Sequence, residues 1–260
     1  MSVSAFQAGN VAVVTGAALG IGRAMSKHFA ALGMQVVMLD VDQEELRNAA
    51  EVVGSAARAI PFDVSVNKDW EELRSLLEKD GLVPSVLVNN AVTRIGRGFE
   101  ADLSEWERSI DINVMGIVRG CKTLLPAMQA SGKKGVIVNV GSKQGITNPP
   151  GHPIYNMGKA AIKIYTECLQ HELREAANPA ITAHLLVPGW TTTGKNEHRT
   201  GAWLPDQVVG HMMAAIEKGS FYIICPDDET TEEEDKQRIQ IAADDIIEDR
   251  EPLSRWLQTS

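Results

Sequence analysis

The feature that most constrains this chain is Thr15-Gly16-Ala17-Ala18-Leu19-Gly20-Ile21-Gly22, where a short β-branched run at 11–15 gives way to helix-period sequence at 20–32. Glycines at 16, 20 and 22 permit a tight turn, let backbone N–H groups approach a pyrophosphate, and bring the helix close to its strand. A strand feeding a helix N-terminus through such a turn is an anion site built from amides and helix dipole. Thr15, Gly16, Gly20, Ile21 and Gly22 are therefore candidates for binding a dinucleotide.

The remaining sequence repeats the strand and helix alternation. Apolar runs at 35–40, 57–63, 86–90, 135–140, 181–187 and 221–225 alternate with helical segments at 42–53, 67–80, 104–130, 154–177 and 205–218. This predicts the α/β class, a three-layer doubly wound parallel sheet of about seven strands. With 260 residues, 44% hydrophobic and 23% charged, the chain can bury the core of one such domain. No linker or repeat divides 1–260 into further domains.

The formal charge of −9 is concentrated at one end. Residues 227–251 hold twelve acidic side chains against Lys236, Arg238 and Arg250, and the rest of the chain carries 22 charges of each sign. Neither part offers the basic patch that nucleic acid or an anionic membrane requires, so neither is an expected partner. No apolar run reaches the ~18 residues of a membrane span. Residues 1–10 lack the basic start and apolar core of a secretory signal, so the expected location is cytoplasmic. Cys121, Cys168 and Cys225 lie far apart without metal-type spacing and read as reduced core residues; no metal site is expected. Within the acidic tail, about 227–260, Ile239, Ala242, Ala243, Ile246 and Ile247 repeat at helical spacing. This predicts a packed amphipathic helix, with Leu253 and Trp256 fastening its end. A subunit-exchanged arm over a neighbour's site is the alternative.

Several polar residues fall at strand ends, the edge where open parallel sheets bind ligands. Asp40, which ends the second strand, can accept hydrogen bonds from both ribose hydroxyls of NAD. It would repel the 2′-phosphate of NADP, and no Arg or Lys lies among residues 36–46 to attract that group. NAD is thus expected over NADP. Asp63, beside Val64, would bond the adenine amino group or cap the helix beginning near Asn67. Asn89-Asn90-Ala91 closes the fourth strand, its amides suited to holding the cofactor loop. Asn113, inside the long 104–130 segment and shortly before Gly116, marks an exposed or kinked position. Ser142 ends the fifth strand. Tyr155 and Lys159 lie four apart on one helix face, so the ammonium can hold down the phenol's pKa.

Together these residues resemble the short-chain dehydrogenase/reductase family, in order and spacing, from residue 11 to about 193. The matching positions are Thr15 through Gly22, Asp40, Asp63, Asn89-Asn90-Ala91, Asn113, Ser142, Tyr155, Lys159 and Pro188-Gly189 through Thr193. The resemblance implies nicotinamide-dependent oxidation of alcohols or reduction of ketones by an Asn113, Ser142, Tyr155 and Lys159 tetrad. Lys159 would also anchor the ribose, Asn113 would position a water, and Thr191 and Thr193 would hold the nicotinamide carboxamide. Homodimers or homotetramers are the expected assemblies.

Two positions depart from the family pattern. Val92 stands where a glycine usually follows Asn-Asn-Ala, and Cys225-Pro226 leads into the acidic tail where Asp-Gly-Gly is frequent. Residues 189–205 read as a substrate lid with hinges at Gly194 and Gly201. Trp190 and Trp203 would line its pocket or merely dock the loop, and Lys143, Gln144 and His152 are further substrate candidates. The expected substrate is a small or mid-sized secondary alcohol or ketone. A non-catalytic nicotinamide sensor is the rival reading. A sugar epimerase or dehydratase would need a larger C-terminal substrate domain than 260 residues provide.

Overall fold

The computed structural model describes residues 4–177, 179–194 and 196–257; Lys195 of the expected lid, Asn178 and the three residues at each end lie outside it. In chain order the elements are β1 Val11–Thr15, α1 Gly20–Ala31, β2 Gln35–Asp40, α2 Gln43–Val53, β3 Ala57–Pro61, α3 Asn67–Lys79 and β4 Pro84–Asn89. After these come α4 Leu103–Ile110, a π turn at Asp111–Met115, α5 Gly116–Ala130, β5 Gly135–Val140, α6 Gln144–Thr147 and α7 Pro153–Glu175. β6 Ile181–Val187, α8 Pro205–Glu217, β7 Tyr222–Ile224 and α9 Glu232–Ile247 complete the chain.

The seven strands form one parallel sheet in the order β3-β2-β1-β4-β5-β6-β7. Strand side chains alternate between two cores, one on each face. Ala12 and Val14 of β1 and Val86 and Val88 of β4 pack with Met25, Phe29, Leu46 and Met212 from α1, α2 and α8. Val11, Val13 and Leu87 face the other way, toward Trp70, Leu73, Ile117, Leu124 and Ile162 from α3, α5 and α7. Strand order reverses between β1 and β4, which opens a crevice beyond their carboxyl ends.

The expected strands and helices form with small differences in extent. The 57–63 strand stops at Pro61 because Asp63 turns the chain: its Oδ1 accepts from Ser65 N at 2.9 Å and from Ser65 Oγ at 2.6 Å. Segment 104–130 is broken by the π turn, which contains Asn113. That residue is buried, so the kink is real and its exposure is not. The four-residue α6 has no periodicity that the sequence could reveal.

Two further expectations are corrected. Cys168 is exposed on α7, while Cys121 and Cys225 are buried as expected; all three are free thiols. The acidic tail does form a helix, but Ile246 and Ile247 are 85% and 75% exposed. The helix buries Asp235 and half-buries Arg238 together with Ile239, Ala242 and Ala243 of the expected stripe, because Lys143 and Thr230 Oγ1 offer the two charges partners. Trp256 fastens the tail through its indole N–H to the Thr147 carbonyl at 3.3 Å.

Trp70 ties the α3 face to the crevice. It is 2% exposed, stands edge-on to Phe62 at 4.7 Å, and donates its indole N–H to the Val64 carbonyl at 2.9 Å. Trp70→Ala leaves a large cavity and an unpaired carbonyl, and should cost about 3–5 kcal/mol. The check is urea unfolding followed by circular dichroism.

Candidate active site

At the switch point, β1 and β4 are clasped by side chains. Asn90 Nδ2 donates to the carbonyls of Thr15 and Gly16, both at 3.0 Å. Thr15 Oγ1 in return accepts from Asn90 N at 2.9 Å and Ala91 N at 3.1 Å. Gly16 and Gly20 have φ of 64° and 55°, a region that side chains rarely enter. A Cβ at Gly16 would meet Asn90 Nδ2 at 2.8 Å, and one at Gly22 would be driven into the Gly16 carbonyl oxygen. No side chain caps the start of α1, so its terminal amides stay available to an anion.

Beside this turn lies a cavity of about 220 Å³ whose lining includes Gly16, Asp40, Asp63, Val64, Val92 and Arg108. Asp40 is oriented by two backbone amides: Ala18 N donates to Oδ2 and Asp42 N to Oδ1, each at 3.0 Å. Asp63 is not the cap of α3, whose N-cap is Val66. Its Oδ2 pairs with Arg108 at 2.9 Å. Burial raises the Asp63 pKa, but hydrogen bonds from Ser65 and Arg108 outweigh it and hold the carboxyl below its usual range. The bare glycine turn, the uncapped helix start and a preset carboxylate at the second strand end fit a dinucleotide. Val92, half exposed, adds a branched wall where a glycine would leave space.

Further along the crevice, the tetrad candidates come together. Lys159 is only 3% exposed, and its Nζ donates to the Val140 carbonyl at 2.7 Å. Nζ lies 5.6 Å from the Tyr155 ring centroid. The Ser142 hydroxyl hydrogen-bonds to the phenol and accepts from Gln144 N at 3.2 Å. Burial pushes the Tyr155 phenol up, yet the charges of Lys159 and Arg94 and hydrogen bonds from Ser142 and Arg94 overcome this, holding it below its usual value. Lys159 is itself held low, by burial first, with the Tyr155 charge opposing and Arg94 reinforcing.

Arg94 escaped the sequence reading. Its guanidinium stands over the Tyr155 ring, 4.7 Å from the centroid, where its charge helps to lower the pKa of the phenol. Asn113 sets this up. Thr93 N donates to Asn113 Oδ1 at 2.8 Å, and Asn113 Nδ2 donates to the Thr93 carbonyl at 3.0 Å and to Ser109 Oγ at 3.1 Å. The Asn113 side chain thus holds the strap that carries Arg94. The signal available in the sequence was a basic residue three positions after Asn-Asn-Ala, which has no meaning without the fold.

The substrate candidates separate. Gln144 lines an apolar cavity of about 640 Å³ together with Phe99, Trp106, Met157 and Leu253. His152 is half buried where α7 begins, outside that lining. Lys143 does not face substrate: it pairs with Asp235 at 2.7 Å and Asp227 at 3.2 Å, because these buried carboxylates need a cation. Asp227 Oδ2 also accepts from Trp190 N at 2.8 Å, so the acidic segment anchors the lid base beside Pro188 and Gly189. Trp203 docks the loop, its indole N–H donating to Asp228 at 3.2 Å and its backbone exchanging hydrogen bonds with Trp190 and Thr192. Trp190 stays partly exposed. Thr193 rests on the glycine turn, 3.2 Å from where a Gly20 Cβ would be, and Thr191 Oγ1 donates to the Gly189 carbonyl at 3.1 Å.

Residues 10–202 match the short chain dehydrogenase family. A 3-oxoacyl-(acyl-carrier-protein) reductase of Synechocystis is 31% identical over 194 residues, which span 72% of this chain and 76% of that protein. A short chain dehydrogenase/reductase from Burkholderia phymatum in complex with NAD superposes with a TM-score of 0.84 at 28% identity, covering 94% of this chain and 96% of the other. The 3-ketoacyl-(acyl-carrier-protein) reductase from Brucella melitensis complexed with NADH gives 0.74 at 25% identity, over 84% and 96%.

Gly22→Ala tests the crevice directly. The added methyl must displace the Gly16 carbonyl, and NAD binding measured by calorimetry should weaken at least about tenfold. Tryptophan fluorescence should report a folded protein.

Proposed function

The chain belongs to the short-chain dehydrogenase/reductase family of oxidoreductases, and on that premise we propose that it transfers hydride between NAD(H) and a secondary alcohol or ketone. The observation that carries this reading is the arrangement of a buried Lys159, a half-buried Ser142 and an exposed Arg94 around one phenol. The dinucleotide supplies the hydride acceptor or donor when bound. Thr15, Gly16, Gly20, Ile21 and Gly22 hold its phosphates, with Asn90 bracing the turn. Asp40 takes the adenosine ribose, and Asp63 and Val64 form part of the adenine wall. Pro188, Gly189, Thr191 and Thr193 bound the nicotinamide end.

In oxidation, Tyr155 takes the proton of the substrate hydroxyl while Ser142 holds the same oxygen. A free phenol, with pKa ~10, is too weakly ionised for this at neutral pH, and each unit of depression is worth ~1.4 kcal/mol of phenolate stabilisation. Lys159, fixed by Val140, supplies that stabilisation at the phenol and reaches the nicotinamide ribose. Asn113 acts at one remove, by holding Thr93 and hence Arg94. Trp190 and Gln144 remain the substrate-facing members of the expected set. Met157, Ile164 and Cys168 form an exposed stripe at helical spacing on α7, which supports a homo-oligomer.

Tyr155→Phe should bind NAD within a few-fold of wild type while turnover falls about 10²–10⁴-fold. In the wild type, because the base must be deprotonated, kcat/KM for oxidation should climb with pH and level off below the ordinary phenol value. Near-normal turnover in the variant would remove Tyr155 from its role. Asp40→Ala, alone or with Val41→Arg, should relax the preference for NAD over NADP by about tenfold or more. An unchanged ratio of the two kcat/KM values would exclude Asp40 as the selector.

A further inference from the structure

The tetrad and the crevice leave one charged group of the site unexplained. Arg94 is exposed, its guanidinium stands over the Tyr155 ring at 4.7 Å from the centroid, and it forms no ion pair among the described residues. The nearest ammonium, on Lys159, is of the same sign and lies on the same ring. The buried carboxylates Asp227 and Asp235 are occupied by Lys143, and Asp63 by Arg108. A guanidinium held against a catalytic phenol by a doubly bonded strap, with no counter-ion from the protein, is completed by an anion from outside. A wholly neutral substrate would desolvate it without compensation.

We propose that Arg94 is the anion-recognising residue of the substrate pocket, and that the substrate is a hydroxy acid, or the matching keto acid, with its carboxylate one or two carbons from the reacting carbinol. The spacing follows from the shared phenol. The carbinol oxygen must hydrogen-bond to Tyr155 and Ser142, about 2.7 Å from the phenol oxygen, and the Arg94 guanidinium stands over the ring of the same phenol, 4.7 Å from its centroid. A carbinol and a guanidinium placed against one phenol are close neighbours, which leaves the planar guanidinium edge within bidentate reach of a carboxylate at the 2- or 3-hydroxy spacing. In oxidation the carbinol C–H electron pair leaves as hydride to nicotinamide, the O–H proton passes to Tyr155 and a C=O bond forms. The carboxylate is unchanged and serves only to orient.

This inference rests on the hydride-transfer reading above, and the test separates the two. Rates of NADH formation are compared for 2- and 3-hydroxybutanoate, their methyl esters and 2-butanol, at a pH where the rate has levelled off. In the wild type, kcat/KM for one of the acids should exceed that for its ester by about 100-fold, and Arg94→Gln should bring the ratio to within a few-fold of one. Arg94→Lys should fall between, since an ammonium keeps the charge but loses the fork. If Arg94 only lowered the phenol pKa, the variant would move the pH profile for acid and ester alike and preserve the ratio, which would overturn the proposal. A second readout does not depend on turnover: malonate, titrated by calorimetry in the presence of NAD, should bind Arg94→Gln at least tenfold more weakly than wild type. Equal binding would also overturn it. Absence of turnover across the whole panel would count against hydride transfer, while the malonate titration would still decide Arg94.

Discussion

The site depends on the clasp between β1 and β4. At a topological switch point two parallel strands diverge into oppositely directed crossovers, and their ends have no further ladder to hold them together. Here Asn90 and Thr15 replace that ladder with four hydrogen bonds between the two strand ends. The same bonds fix the Gly16 carbonyl against which α1 packs through Gly22. Phosphate cradle, helix dipole and strand ends are thus parts of one rigid piece, and the crevice is preorganised before any ligand enters it.

A second constraint is electrostatic. Burying the Lys159 ammonium is costly unless polar partners surround it, and the Val140 carbonyl and the Tyr155 phenol provide them. The cost of holding that charge is returned as a phenol held below its usual pKa. Arg94 adds to the effect from the opposite side of the crevice, on a strap fixed by Asn113. Asn113 is buried where the helix passes through a π turn, and the turn is what lets its amide reach out of the helix to Thr93.

The acidic C-terminal segment takes part in the site by structural means. Asp227 holds Trp190 N and Lys143, and Lys143 follows Ser142 directly. Strand end, lid base and α9 are therefore joined by one buried ion cluster, in which Lys143 and Asp227 are 84 residues apart in sequence. The charge that made this segment look solvent-directed is partly an interior feature. Asp227, one of the two carboxylates that share this ammonium, also accepts from the backbone amides of Trp190 and Glu229.

The sequence by itself determined whatever short-range periodicity encodes. The alternation of elements, the glycine turn between β1 and α1, Asp40 at a strand end, and the placing of Tyr155 above Lys159 on one helix face all follow from spacings of two to eight residues. Those spacings have a fixed geometric meaning in any strand, turn or helix. Tertiary structure alone decided which distant residues meet. Arg94 reaches Tyr155, Lys143 turns from the substrate side to Asp235, and α9 buries Asp235 while Ile246 and Ile247 face outward. In each case the partner lies on a different element, and its charge or hydrogen-bonding need, which no local pattern carries, settles where the side chain goes.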